Sequence, residues 1–218
     1  RDALQPLLDK APREAEARFF HLTAIRALGE QDTYLALARG LLADRPDGSW
    51  AEETLNNLAS HYVIVDDDAE ADRVFRELYR RFPQGRYADR AAWKIGWRAY
   101  KNGQFAEAAQ VFEGASAAFP RADYRPAWLY WSGRARDQMG EAQAANARYQ
   151  IVASDYLNSY YGRLASNILS SRGEPPVLPI VRSAPTTTMP RPVVPNDAVI
   201  RALVAVELYQ DALNEVQY

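Results

Sequence analysis

The sequence predicts an all-α fold, a superhelical solenoid of antiparallel helix pairs with 37-residue repeats, and three observations predict it. Turn-forming residues recur at one offset: Gly29, Asp66, Gly103 and Gly140 are 37 residues apart in succession, as are Pro46, Pro83 and Pro120. The same offset orders side-chain size, relating Ala71, Ala108 and Ala145, then Phe75, Phe112 and Tyr149, then Ala59, Gly96 and Gly133. Apolar residues also run at helical spacing, as in Leu55, Leu58, Ala59, Tyr62 and in Ala108, Val111, Phe112, Ala115.

These signals place helices at 13–28, 31–44, 50–64, 69–81, 88–101, 105–118, 124–138, 141–154 and 159–170. The turn glycines tolerate the left-handed conformation that ends a first helix, with Asp66 a less permissive substitute, and each proline stops a second helix. Ser49 followed by Glu52 reads as a capping box opening its helix. Single pairs cannot bury their apolar faces alone, so neighbours must stack. Residues 1–170 are read as the helical superhelix and 171–196, rich in proline, as an extended linker, with residues 177–181 lying along the helical surface. Residues 197–218 are read as terminal helices opening a further domain, from the pattern Val199, Leu203, Val206, Leu213.

Composition narrows the function. Twenty-six basic residues against 28 acidic ones give a net charge of -2 without a long basic run, which argues against nucleic acid as the main partner. There is no cysteine, so thiolate chemistry and cysteine-ligated metals are excluded. No stretch of about 18 apolar residues offers a membrane span. His21 and His61 stand isolated on predicted helices and read as structural. Asp66-Asp67-Asp68 reads as a turn and helix start, where carboxylates favour exposed amides. No pair of carboxylates specifies acid and base roles, and neither cofactor nor metal is expected.

The chain carries 5 tryptophans and 13 tyrosines. Trp93, Trp97 and Tyr100 are spaced i, i+4, i+7 on one helix stripe, and Tyr130 and Arg134 fall at matching phase in the next repeat. Two readings stand: core filling between repeats, or a surface that stacks on sugar rings or holds a peptide. Trp128, Tyr130 and Trp131 cannot share one face, so at least one is expected inside.

From Gly103 to Pro120 the spacing, with Phe105, Ala108, Phe112 and Ala115, resembles tetratricopeptide repeats, lengthened by a surplus between Pro83 and Gly103. More specifically, Tyr124-Arg125-Pro126-Ala127-Trp128-Leu129-Tyr130-Trp131-Ser132-Gly133-Arg134-Ala135, followed by Ser159-Tyr160-Tyr161-Gly162-Arg163-Leu164-Ala165, resembles the superhelical region of periplasmic soluble lytic transglycosylases. That family cleaves peptidoglycan glycan strands, as a lyase, with a glutamic acid in a lysozyme-like domain downstream. The glutamate-bearing phrase is absent here, so no acidic residue inherits that role. The resemblance implies a non-catalytic periplasmic scaffold that supports a missing C-terminal catalytic domain in cis and guides glycan strands. Trp93, Trp97, Tyr100, Tyr130 and Arg134 are then the surface candidates, while Tyr160 and Tyr161 are weighted towards packing. The alternative is a tetratricopeptide-like adaptor of the cell envelope that holds a protein or peptide partner.

Overall fold

The computed structural model describes residues 14–176 and 196–216, and the repeats fold as helices in an unbroken alternation. They are α1 (Glu14–Ala27), α2 (Gln31–Asp44), α3 (Ser49–Ile64), α4 (Asp68–Arg81), α5 (Ala88–Lys101), α6 (Phe105–Ala118), α7 (Arg125–Gln138), α8 (Ala142–Asp155) and α9 (Tyr160–Ser171). Each helix packs on the next, so successive antiparallel pairs form a tetratricopeptide-like stack, with no strand among the described residues. The closest approaches across a whole repeat join first helices, α1 with α3 and α7 with α9. Most of the passage read as a linker, 177–195, lies outside the described residues. A second unit holds α10 (Asp197–Ala205) and α11 (Tyr209–Val216), which pack against each other.

The 37-residue offset is a backbone device. Gly29, Asp66, Gly103 and Gly140 all adopt positive φ, at 80°, 61°, 75° and 77°. At each turn the next residue's amide reaches back to Ile25, Tyr62, Ala99 or Arg136, closing the helix end with a six-residue hydrogen-bonded loop. Asp66 holds, at a cost in backbone strain, a position that glycine occupies three times over. Asp66→Gly is expected to raise stability by about 0.5–1 kcal/mol, read from the urea midpoint. A lower midpoint would mean that the aspartate side chain contributes more than its backbone costs.

Second helices end alike. Arg45, Phe82 and Phe119 precede the recurrent prolines with φ of -130°, -126° and -124°, outside the helical region that a following proline disfavours. The surplus over the tetratricopeptide length sits in the inter-repeat connections 82–87 and 119–124, since α5 and α6 are both 14 residues long. The first of these connections wraps a buried carboxylate: Glu52 Oε1 accepts the Tyr87 amide at 2.9 Å, and Gly85 leaves room for it. The capping box expected at Ser49 and Glu52 is accordingly absent. Ser49 is already helical, the cap position is Gly48 without a side-chain bond, and Glu52 reaches a different repeat.

Side-chain size alternation builds the core. A methyl group on Gly96 would lie 2.5 Å from the Phe112 ring, and one on Gly133 would lie 2.7 Å from Tyr149. In α5 and α7 the first helix thus drops its side chain where the second helix inserts a ring. The first pair exchanges the sizes, with buried Leu22 and Ala38 at the corresponding positions.

Charge pairs tie consecutive repeats on the second-helix side. Glu113 of α6 accepts from Arg136 at 3.0 and 2.9 Å and from Arg148 at 3.1 Å. Burial pushes its carboxyl pKa up, but the hydrogen bonds from Arg136 and Arg148 outweigh this and hold it below the usual value of 4.5. A depressed folded-state pKa contributes stability above the unfolded value and loses it as pH falls through the folded one. Wild type is therefore expected to lose more stability than Glu113→Gln as pH drops below about 4.5, followed by urea unfolding at about pH 6 and about pH 3.5. Parallel losses in both proteins would remove Glu113 from the acid response.

Candidate functional site

The aromatic residues converge on the seam joining α5, α7 and α9. Trp93 and Trp97 lie parallel, 5.8 Å between centroids, and Tyr100 continues the row at 6.0 Å. Trp131 of α7 closes it edge-to-face, 4.7 Å from Trp97 and 4.9 Å from Tyr100. Trp93 is also held by Phe112 and Tyr124. All four of Trp93, Trp97, Tyr100 and Trp131 are half-buried. The row thus fills the space between first helices and still keeps part of its surface in solvent. Such pairs contribute roughly 0.5–1.5 kcal/mol each beyond area burial.

Of the expected surface candidates, Tyr130 is the one the fold takes inward. It is 4% exposed, against Tyr149 at 5.8 Å and Tyr161 at 5.4 Å, because its phase on α7 points at α8 and α9. Trp128 is wholly buried beside Phe119 and Tyr124. Trp131, missed as a candidate, bridges α5 to α7; its match to Lys94 under the 37-residue offset concealed it, since nothing in that repeat is aromatic there.

The two phrases that carry the family resemblance meet in space through Tyr130 and Tyr161. Around them each letter has a local reason. The Ser132 hydroxyl donates to the Leu129 carbonyl at 2.9 Å, and Gly133 makes room for Tyr149. The Arg134 guanidinium lies 5.9 Å from the Trp131 ring centroid and donates to the Tyr130 hydroxyl at 3.3 Å, a contact that raises its pKa further. Ser159 caps α9 by accepting the Gly162 amide at 2.9 Å. Gly162 is required because any side chain would collide with the Tyr156 carbonyl. Tyr161 is half-buried, whereas Tyr160 is 64% exposed.

Two depressions flank the aromatic row. Between α3, α4 and α5 a cleft of about 170 Å³ is lined by Val63, Asp72, Phe75, Lys94 and Trp97 among others. Between α7 and α9 an open recess of about 410 Å³ is lined by Arg134, Asp137, Gln138, Ile168, Ser171 and Arg172. Asp137 there accepts the Tyr149 hydroxyl at 2.7 Å and Arg172 at 2.8 Å. Burial, then the bond to Asp137, pushes the Tyr149 pKa far up, so the phenol keeps its proton and stays a donor. Neither depression pairs a nucleophile with a base. Asp66, Asp67 and Asp68 serve the turn: Asp67 caps α4 by accepting the Glu70 amide at 3.1 Å, and Asp68 pairs with Arg98 at 3.3 Å. His21 and His61 are buried, and His61 packs edge-on to Tyr34 and Tyr62. No described helix is long and apolar enough to cross a membrane.

No family model matches the chain, and no curated protein matches it. Among solved structures it is similar to a Podosopora anserina kinesin light chain candidate with nearly identical TPR-like repeats, at 15% identity and a TM-score of 0.45, covering 95% of both chains. A singly substituted form of that protein is similar at 15% identity and a TM-score of 0.45, with 94% of this chain and 92% of that one covered. The tetratricopeptide-like assignment of the present chain rests on its own helix pairing and turn geometry.

Proposed function

We propose that this chain is the non-catalytic helical scaffold of a periplasmic peptidoglycan lytic transglycosylase, whose first-helix layer guides glycan strands towards a lysozyme-like domain encoded downstream. The observation that carries the reading is the meeting of its two family-like phrases, through Tyr130 and Tyr161, beside the half-buried row Trp93, Trp97, Tyr100 and Trp131. Partly exposed rings offer flat apolar faces to a sugar ring, and Arg134 beside Trp131 offers donors to its polar groups.

The test is titration of the purified chain with peptidoglycan glycan chains. Wild type binds, and Trp97→Ala binds about threefold to tenfold more weakly, the loss of one aromatic contact. Absent binding, or binding unaltered by Trp97→Ala, removes the strand-guiding role. The chain alone is expected to show no glycan turnover, and turnover that co-purifies with it would overturn a non-catalytic assignment.

The second reading is an envelope adaptor for a protein or peptide. It is favoured by the cleft between α3, α4 and α5, where charges of both signs, Asp68, Asp72, Lys94, Arg98 and Lys101, surround Val63 and Trp97. Reading the native gene past Tyr218 separates the two: a lysozyme-like domain supports the scaffold, a stop codon or an unrelated domain the adaptor.

A further inference from the structure

Arg134 is paired differently from its neighbours on the repeat surface. Arg98 pairs with Asp68, Arg136 with Glu113, and Arg172 with Asp137. Arg134, half-buried, donates to the Tyr130 hydroxyl and lies against the Trp131 ring, and among the described residues no carboxylate pairs with it. Asp137, three residues on along α7, is already held by Arg172 and Tyr149. A guanidinium has five N–H donors in a planar fork, and here most of them have no protein acceptor while the aromatic neighbours fix the fork's position. That is a preorganised receptor for a carboxylate.

The surroundings specify what carries the carboxylate. The recess beside Arg134 is polar: Gln138 offers both donors and an acceptor, Asp137 and the Ser171 hydroxyl oxygen offer acceptors, and among the described residues Ile168 is the only apolar one lining it. An apolar peptide side chain would gain little there, whereas a ring bearing several hydroxyls finds partners of both kinds. We propose that the recess between α7 and α9 binds an acidic sugar, with Arg134 forked onto the sugar's carboxylate; the inference rests on the glycan-guiding reading and adds to it the unit of the strand that is recognised.

The test compares two disaccharides by calorimetric titration of the whole chain: N-acetylglucosaminyl-N-acetylmuramic acid, which carries a carboxylate, and chitobiose, which does not. Wild type is expected to prefer the acidic disaccharide by about tenfold or more. Arg134→Gln erases the preference, the acidic disaccharide then binding no better than chitobiose, and Arg134→Lys keeps part of it, because charge survives and the fork is lost. Melting temperatures of both variants report folding, and should Arg134→Gln fail to fold, wild-type selectivity and Arg134→Lys decide. Equal binding of both sugars, or a preference that survives in Arg134→Gln, overturns this inference and leaves the scaffold reading intact. Binding of neither sugar overturns both. An acidic tripeptide that binds as tightly as the acidic sugar, with the same dependence on Arg134, overturns the assignment to a sugar.

Discussion

Gly96→Leu is expected to destabilise the protein by about 3 kcal/mol or more, and Phe112→Ala in the same chain is expected to recover a large part of that loss. A methyl group at Gly96 would already lie 2.5 Å from the Phe112 ring, which is fully buried and has nowhere to turn. Phe112→Ala alone opens a cavity and costs about 3–5 kcal/mol. Together the two changes recreate the size order of the first pair, where Leu22 and Ala38 hold the corresponding positions. Urea unfolding of the four proteins in the cycle gives the coupling. A double variant as unstable as the sum of the singles would show that the repeats do not share one packing plan.

Trp128→Ala is expected to cost about 3–5 kcal/mol, the largest loss from any single truncation of an aromatic side chain in the stack. Its side chain is the largest that is fully buried, lodged between α6 and α7 beside Phe119 and Tyr124. Its indole Nε1 is buried without a hydrogen-bond partner, a condition that costs roughly 1–3 kcal/mol. Trp128→Phe removes that orphan donor along with some volume, and is therefore expected to cost less than half as much as Trp128→Ala. Equal losses for the two variants would show that the indole nitrogen is satisfied in solution. Trp97→Ala, by contrast, removes a half-buried ring, and its main effect should be on binding.

Local chemistry made much of the architecture legible. Helices expected at 88–101 and 105–118 form over those residues, because glycine at the left-handed turn and proline after the second helix act within a few residues of themselves. The contact of Gly96 with Phe112 was decided by packing, whereas the recurrence of small residues at Ala59, Gly96 and Gly133 and of rings at Phe75, Phe112 and Tyr149 was legible too. The capping box at Ser49 was not: its glutamate found the Tyr87 amide, which is 35 residues away and brought near only by stacking.

The site divides along the same line. Residue spacing alone set the row Trp93, Trp97 and Tyr100, because i, i+4 and i+7 lie on one helix stripe wherever the helix sits. Whether a ring faces solvent or a neighbour depends on the angle at which the next pair packs, and that angle is a property of the stack. Tertiary packing therefore turned Tyr130 inward onto Tyr149 and Tyr161 and brought Trp131 against Trp97. It also left Arg134 without a carboxylate, because Arg172, from the following repeat, occupies Asp137. Sequence determined the helices and their turns through short-range backbone preference; contact between repeats decided which side chains were buried and which kept a face in solvent.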